Sequence, residues 1–456
     1  MKTPDYESIV EDSPLTPFLK RLALYTSGGT FLDGYILVII GIALIQLEAQ
    51  FKLDAFREGL IGAAALVGMF VGAVVFGYVT DLVGRRLMYQ MVPVVIIVLS
   101  VAQMLVTTAW ELAWLRFLIG IAVGADYPIA TSLLTEFSPR KYRGLMLGFL
   151  ICVWYLGTVG AAIVGYALLS AGPAGWKWML GSAAGPALLL VFGRWSTPES
   201  PRWLVSKGHL EKAREVVRTV WGADAGLPDL RETGQKKTDF LKVFSPGYLK
   251  RTVFIGTFQT VKIIPVFAIY TFGPQILQAF HLGGGNLWIF AYALTNTFFL
   301  IGCIPPLALI NTLGRRPLMI WSFFFMTLGL LVVGLFPHAP AWVIIAGFLV
   351  YASLSGGPGV LQWIYPNELF PTEVRATAVG VATALSRIGA AIGTFALPYL
   401  LQTYGIGPTM LINTAITLLG FIVCVWLAPE TKGLSLRECS ELVESRALAT
   451  GVSDRL

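Results

Sequence analysis

The sequence predicts an all-α membrane protein of twelve transmembrane helices, arranged as two pseudo-symmetric six-helix bundles. Three observations carry this prediction: the composition, twelve long apolar segments, and charged motifs that return at a constant spacing. The 456 residues are 56% hydrophobic and only 13% charged, with a mean hydropathy of +0.72. A soluble domain carries about 25% charged residues, so this chain needs lipid as its solvent. Its net charge of +7 is therefore interpreted as membrane topology and not as nucleic-acid binding.

Twelve segments have the roughly 20 apolar residues that a membrane-crossing helix needs. Their length and short connections do not fit the alternating pattern of a membrane β-barrel. The predicted spans, numbered 1 to 12, are Leu22–Ile45, Leu60–Thr80, Leu87–Val106, Leu112–Leu134, Gly144–Leu169, Trp178–Phe192, Val253–Phe280, Leu287–Ile310, Leu318–Phe336, Trp342–Tyr365, Ala376–Leu401 and Pro408–Leu427.

Positive charge is concentrated in the loops on one side of the predicted bundle. Arg85 and Arg86 lie between spans 2 and 3, and Arg315 and Arg316 lie between spans 8 and 9, whereas the opposite loops hold few cations. By the positive-inside rule, both termini and the long middle segment are expected on the cytoplasmic side. Span 1 is expected to serve as the insertion signal, because no cleavable signal peptide precedes it.

The same pattern predicts four regions along the chain. Residues 1–194 form an amino-terminal six-helix bundle, and residues 251–428 form a carboxy-terminal one. Residues 195–250 form a cytoplasmic linker, where Leu210, Ala213, Val217 and Val220 repeat at helical spacing and predict short amphipathic helices. Residues 429–456 form a cytoplasmic tail.

Three charged motifs occur twice at nearly one offset, which predicts a duplicated six-helix unit. Gly84-Arg85-Arg86 returns 230 residues later as Gly314-Arg315-Arg316. The Glu136 motif returns at Glu368, offset 232, and Pro198-Glu199 returns as Pro429-Glu430, offset 231. Parallel repeats of this kind in transporters place the ligand near the bilayer midplane, between the repeats.

These motifs resemble those of the major facilitator superfamily. Gly77–Arg86 is similar to its loop motif, Pro198–Leu204 and Pro429–Gly433 resemble the sugar-porter branch, and Gly124–Pro128 resembles a motif of metabolite:proton symporters. Taken together, the chain looks like the bacterial inner-membrane metabolite transport proteins. The resemblance implies a multi-pass protein of the bacterial inner membrane that works by proton-coupled alternating access.

The chain departs from two patterns of this superfamily. Hexose porters carry a Gln-Gln…Asn pattern on span 7, where this sequence has one glutamine, Gln259, and a lysine, Lys262. Drug/proton antiporters carry a Gly-Pro pair on span 5, which Leu156–Gly165 lacks. The first departure counts against a hexose-specific porter, and the second counts against a drug exporter.

Five ionisable residues fall inside predicted spans, where such residues are costly and usually functional. They are Asp33, Arg116, Asp126, Lys262 and Arg387, and the interiors of spans 3, 6, 9 and 12 are expected to hold none. Asp33 and Asp126 are predicted proton carriers, with Arg116 as their counter-ion, because the resemblance assigns the acid of span 1 and the arginine of span 4 to proton coupling. The alternative is a permanently paired, structural Asp–Arg.

Lys262 and Arg387 are predicted to hold an anionic group, since a guanidinium fork and a compact ammonium both suit carboxylates. The alternative is that they neutralise Asp33 and Asp126. Three aromatic side chains are further candidates, which could stack on the substrate or serve only helix packing: Trp154, Tyr155 and Tyr270. The amides of Gln259 and Asn296 are candidates to bind substrate hydroxyl groups.

Two features are predicted to control opening. Gly357 and Pro358 on span 10 are expected to loosen that helix locally as a gate. Charged motif residues are expected to form latches that close the cytoplasmic side, with Asp81 near the amino end of span 11; the alternative is that they are topology signals only. The latch candidates are Asp81, Arg85, Glu136, Arg143, Glu199, Arg202, Glu368 and Arg375.

The preferred functional hypothesis is proton-coupled import of a small organic anion, such as an aromatic or sugar-derived carboxylate. The main alternative is a proton-coupled sugar or polyol porter, and a membrane receptor is another class. An enzyme is not expected, because the sequence shows no catalytic or metal-ligand cluster. We expect a monomer with no cofactor, whose partners are a small-molecule substrate, protons and the lipid bilayer.

Overall fold

The computed structural model describes residues 13–221, 243–280, 287–310, 312–370 and 372–432. The chain forms two compact units, Met1–Gly234 and Gln235–Leu456, with six of the twelve spans in each. Eleven helices of the described residues are long and apolar enough to cross a membrane. The predicted all-α fold is confirmed.

In the amino-terminal unit, spans 1, 2, 4 and 5 run further than the apolar segments that predict them, whereas span 3 ends three residues before its predicted end. Span 1 begins at Pro17, after the cap Thr16, and span 4 begins with a capping box made by Thr108 and Glu111. Spans 1 to 5 of this unit are Pro17–Phe51, Ala55–Val83, Arg85–Gln103, Ala109–Phe137 and Arg140–Leu169.

Span 6 differs from the prediction, because it consists of two short helices, Gly175–Gly181 and Ala184–Trp195. Pro186 lies in the first turn of the second helix, where proline is tolerated but cannot donate to the preceding turn. At the break, the Ser182 hydroxyl contacts the Tyr35 hydroxyl of span 1 at 2.5 Å. Span 6 therefore ends at Trp195, three residues beyond its predicted end.

In the carboxy-terminal unit, span 8 is also divided, and its second piece begins with the Pro305-Pro306 pair. Spans 7 to 12 are Pro246–Ala279, Leu287–Gly302 with Ile304–Leu309, Arg315–Leu335, Ala341–Leu369, Thr372–Tyr404 and Ile406–Leu427.

Glycine allows helices within each unit to pack backbone to backbone. A Cβ atom at Gly68 of span 2 would meet the carbonyl oxygen of Phe117, and one at Gly120 of span 4 would meet that of Ala65. Spans 2 and 4 therefore approach each other closely, as small residues allow.

The predicted linker contains two helices, Pro201–Ser206 and Leu210–Trp221. Ala213, Val217 and Val220 of the second helix are buried, as their spacing predicts, and the Trp221 ring stacks on Phe137 of span 4 at 5.6 Å. Residues 222–242 of the linker and 433–456 of the tail lie outside the described residues.

Candidate functional site

Among its described residues, the amino-terminal unit has five buried charged side chains: Glu58, 6% exposed in the first turn of span 2, and four that are at most 3% exposed. Asp33, Arg116 and Asp126 are predicted there and are 2%, 1% and 3% exposed. The fourth is Arg194, which is fully buried although its position after the predicted end of span 6 suggested a loop. The expectation that span 6 holds no charge is therefore wrong, because its second helix continues through Arg194.

Arg194 holds Asp126 with both arms of its guanidinium group. Nη1 donates to Oδ1 at 2.5 Å and Nη2 donates to Oδ2 at 2.9 Å. This bidentate geometry is the strongest that an arginine and a carboxylate make. Asp126 is thus an ion-paired carboxylate, and its partner comes from span 6.

The remaining faces of the Arg194 guanidinium are also occupied. Nε donates to the Tyr25 carbonyl at 3.3 Å, and Nη1 donates to the Tyr89 carbonyl at 3.1 Å. The group lies over the Tyr89 ring, 4.0 Å from its centroid. Asp33 also attracts Arg194 electrostatically. The positive charge of one arginine therefore acts on both predicted proton carriers.

Arg116 does not form the predicted ion pair. Nη1 donates to the Ile36 carbonyl of span 1 at 3.0 Å, one helical turn from Asp33. In the part of the chain that the structure describes, Nε and Nη2 of Arg116 have no hydrogen-bond partner. A buried arginine with open donors needs a further acceptor, so Arg116 remains a candidate coupling residue.

The carboxy-terminal unit has a different polar cluster, centred on Lys262 of span 7. Its Nζ donates to Gln362 Oε1 of span 10 at 3.2 Å, while Gln259 Nε2 donates to the Gln362 carbonyl at 3.0 Å. Lys262 is 4% exposed and Gln259 is 5% exposed. Gln362 was not predicted, because a single glutamine next to apolar residues gives no sequence signal.

Arg387 of span 11 belongs to the same neighbourhood. Its guanidinium lies over the Phe267 ring, 5.4 Å from the centroid, and its charge repels that of Lys262. The only acidic residues between 243 and 432 are Glu368, Glu373 and Glu430, all at helix ends. The buried Lys262 and the half-buried Arg387 therefore lie in a part of this unit whose acids, in the described residues, are all near helix ends.

Most of the remaining predicted contact residues take part in helix packing. Tyr155 is buried with its ring 5.1 Å from that of the half-buried Trp154, and Tyr270 is fully buried with its ring 4.8 Å from that of Phe299. Asn296 donates to the Tyr292 carbonyl of its own helix at 2.9 Å.

Each unit has a cluster at one end, here called the charged end, which carries the repeated motifs. In the amino-terminal unit, Glu199 accepts hydrogen bonds from the backbone N–H groups of Arg85 at 3.1 Å and Arg86 at 3.1 Å. It thereby caps the amino end of span 3. The Arg85 side chain pairs with Glu136, which also accepts from the Ser200 hydroxyl.

The carboxy-terminal unit repeats this arrangement. Glu430 accepts from the backbone N–H groups of Arg315 at 3.0 Å and Arg316 at 3.1 Å. Arg315 Nη2 pairs with Glu368 at 2.9 Å, and Glu368 also accepts from the Thr431 hydroxyl at 2.5 Å. Pro429–Thr431, predicted as free tail, are therefore part of the helix packing.

Four other latch candidates enter no contact described above. Arg202 lies half-buried in the helix Pro201–Ser206. Asp81, Arg143 and Arg375 lie in described helices, but their side chains are outside the described part of the chain.

The local loosening expected at Gly357 and Pro358 is not observed, because span 10 is helical from Ala341 to Leu369. The glycines serve close packing instead: a Cβ at Gly357 would meet Ser322 Oγ, and one at Gly356 would meet the Gly302 carbonyl. These contacts hold the helix together across Pro358. A gating role for these two residues stays a prediction.

The comparisons with known proteins agree with this architecture. The family model described as "Sugar (and other) transporter" matches residues 22–443, and the chain belongs to that family. The Escherichia coli protein YaaU is 47% identical over 95% of this chain and 97% of its own length. YgcS of the same organism, called an inner membrane metabolite transport protein, is 38% identical over 94% of this chain and 95% of its own length. The xylose transporter XylE of Escherichia coli has the same fold, with a TM-score of 0.79 at 21% identity over 92% of this chain and 100% of its own.

The resemblance predicted from the motifs is thus confirmed, and the chain is a multi-pass membrane transporter. Its relatives are bacterial inner-membrane proteins.

Proposed function

We propose that this transporter couples the entry of protons to the uptake of a small sugar, polyol or closely related metabolite. Family membership carries this proposal. Relatives in Bacillus subtilis at 26% and 30% identity are an arabinose-proton symporter and a myo-inositol transporter, and XylE is a proton:xylose symporter. This substrate class was the alternative hypothesis from sequence, and the comparisons favour it over a simple organic anion.

Buried carboxylates in the amino-terminal unit support the proton part of the proposal. Asp33 and Asp126 are its two most deeply buried acids, and the arginines Arg116 of span 4 and Arg194 of span 6 offer compensating charge. A carboxylate in such a setting changes its proton affinity when the nearby positive charge or the access of water changes. Transport requires such a change once in each cycle.

Uptake into proteoliposomes with an imposed inward proton gradient tests the proposal. Xylose, arabinose, glucose and myo-inositol are offered, and we expect accumulation of at least one that collapses when a protonophore is added. Accumulation of none of them, or accumulation that ignores the protonophore, contradicts the proposal.

Asp33→Asn tests the assignment of the proton carrier. We expect this variant to lose accumulation against a gradient while it retains exchange of labelled for unlabelled substrate, because exchange needs no net proton movement. Glu48→Gln is the matched control, since Glu48 is an exposed acid on the same helix. Accumulation by Asp33→Asn equal to that of the control would remove Asp33 from the coupling machinery.

A second candidate is that the substrate carries a carboxylate, and the charge inventory favours it. Asp126 is paired within its own unit by Arg194, which also attracts Asp33. These acids therefore do not need Lys262 and Arg387 for charge balance. A buried lysine and a half-buried arginine that repel each other are stabilised by an anion, and a sugar acid supplies one while keeping the hydroxyl groups of a sugar.

Matched pairs of neutral and acidic sugars distinguish the two candidates. D-glucose differs from D-glucuronate, and D-galactose from D-galacturonate, in one carboxylate. If the site binds a carboxylate, the acidic sugar of each pair should be preferred. Arg387→Gln or Lys262→Gln should then lower that preference about tenfold or more, because a hydrogen bond to a charged group is worth about 1.5–3 kcal/mol. Lys250→Gln is the control, since Lys250 is exposed on the same helix as Lys262. Preference for the neutral sugar, unchanged in both variants, would reject the carboxylate site.

A further inference from the structure

Arg194 lies where four helices of the amino-terminal unit meet. It extends from span 6 to Asp126 of span 4, to the Tyr25 carbonyl of span 1 and to the carbonyl and ring of Tyr89 on span 3. Span 1 leaves room for the ion pair only because residue 29 is glycine: a Cβ there would meet Asp126 Oδ2 and Arg194 Nη2. Four helices are thus fitted around one guanidinium group.

The second unit builds the same helices without this cluster. At the repeat offsets of 230 to 232, Tyr89 corresponds to Met319, Asp126 to Pro358 and Arg194 to Val425. The surrounding sequence is retained, since Trp195 corresponds to Trp426 and Glu199 to Glu430. Met319 lies in the apolar core of its unit. A six-helix unit of this kind therefore folds with apolar residues at these places, and the buried ion pair is not a requirement of the architecture.

The titratable groups around Arg194 show what the pair can do. In the described residues they are Asp126, in direct contact; Asp33, at electrostatic range; and the Tyr89 hydroxyl, which is hydrogen-bonded to Thr26 at 3.0 Å. The charge of one arginine is shared by two acids. Asp126 accepts both direct hydrogen bonds of the guanidinium, and Asp33, one helical turn along span 1 from the Gly29 that encloses the pair, is attracted at longer range.

We infer that Arg194 is a positioning residue for proton coupling, which holds Asp126 in a bidentate ion pair and sets the pH at which Asp33 takes up and releases the transported proton. The inference rests on the proposed proton coupling and assigns a division of labour between the two acids. Arg116, with its open donors one turn from Asp33, remains the residue placed to respond when Asp33 changes its charge.

Infrared spectroscopy of the purified, full-length protein in lipid nanodiscs tests the inference without any substrate. The carbonyl band of protonated carboxyl groups is titrated against pH, and the contribution lost in Asp33→Asn is assigned to Asp33. In Arg194→Gln we expect the Asp33 band to appear at a pH higher by about one unit or more, because the nearby positive charge is gone. Arg194→Lys retains the charge and is expected to keep the wild-type midpoint within about half a unit.

Two further variants separate this role from a structural one. Arg214→Gln removes an arginine that is 59% exposed in the linker helix and is expected to leave the titration unchanged. The double variant Asp126→Asn/Arg194→Gln removes both charges and leaves two amides that can hydrogen-bond, so it remains testable if the single variant does not fold. Its Asp33 midpoint is expected to lie between those of the wild type and Arg194→Gln.

An Asp33 band with the same midpoint in wild type, Arg194→Gln and the double variant would show that Arg194 only ties helices together. The failure of proton-coupled uptake in the wild type would instead overturn the proposed function. The two results are independent because the titration needs no transport.

Discussion

At their charged ends, the two units use the same chemistry. Glu199 and Glu430 each accept the backbone N–H groups of two successive arginines at the start of a helix, and the first arginine of each pair forms an ion pair with a glutamate of a neighbouring span. In their interiors, the same two units differ. The amino-terminal unit holds two acids and two arginines at 3% exposure or less, while the carboxy-terminal unit has the buried Lys262 and the half-buried Arg387 and, in its described residues, only acids near helix ends.

The difference shows which parts of a duplicated fold are architecture and which are function. Capping a helix end satisfies backbone groups that every such helix exposes, so both copies keep the glutamate. A buried charge satisfies no such general need and costs free energy unless it is paired. The copies therefore differ where one unit handles protons and the other, in our proposal, handles the substrate.

The largest expected effect is on the ion pair itself. Arg194→Leu leaves Asp126 buried without its partner, and we expect a loss of about 3–5 kcal/mol in the free energy of unfolding. Thermal unfolding of the purified protein measures it. Asp126→Asn/Arg194→Leu should recover most of the loss, and Val425→Leu, at the corresponding place in the other unit, should change stability by less than about 1.5 kcal/mol. Equal effects of Arg194→Leu and Val425→Leu would remove the distinction between the interiors.

A smaller effect is expected from Gly29→Ala, which places a methyl group against the ion pair. Overpacking of this kind costs about 1–3 kcal/mol. Gly148→Ala on span 5 is the control, because a Cβ there meets nothing within 4 Å. If both substitutions prove equally tolerated, the pair is not as tightly enclosed as the structure shows.

The charged ends should respond alike. Glu199→Gln and Glu430→Gln each weaken a helix cap, which is worth about 1 kcal/mol. We expect the two variants to lose similar stability in parallel unfolding measurements and to slow uptake by similar factors. A large effect in one unit and none in the other would show that the likeness of the two ends is only geometric.

The smallest expected effect has the opposite sign. Lys262→Met removes a buried cation that forms no ion pair in the described residues, so stability should stay constant or rise by up to about 1 kcal/mol. Differential scanning measurements without substrate test this sign. A loss comparable to that of Arg194→Leu would mean that Lys262 is a structural charge.

The sequence predicts the fold well, because apolar segments of about 20 residues and a repeated set of charged motifs are direct consequences of a bilayer and a duplicated gene. It also predicts the burial of Asp33, Arg116, Asp126 and Lys262, since their neighbours in the chain are apolar. It fails on the pairing of Asp126. Arg194 follows the last strongly apolar residues of span 6, and only the three-dimensional path of the divided helix brings it inward.

A signal for Arg194 was nevertheless present in the repeat. Aligned at the offset of 231, Arg194 corresponds to Val425, and matching tryptophan and proline residues follow both of them. Asp126 corresponds to Pro358 at the offset of 232. Two charges of opposite sign that are both absent from the other copy indicate a pair. The Lys262–Gln362 contact leaves no such trace, because a neutral amide on an otherwise apolar helix has many possible partners.

The central claim is that the amino-terminal unit manages the proton and the carboxy-terminal unit manages the charge of the substrate. Proteoliposomes containing wild type, Asp33→Asn or Lys262→Gln, with an external pH indicator, test it when D-glucose and D-glucuronate are added in turn. We predict that Asp33→Asn abolishes substrate-driven proton entry, whereas Lys262→Gln keeps proton entry and loses the preference for glucuronate over glucose. Undiminished proton entry in Asp33→Asn, or an unchanged preference in Lys262→Gln, would contradict this division.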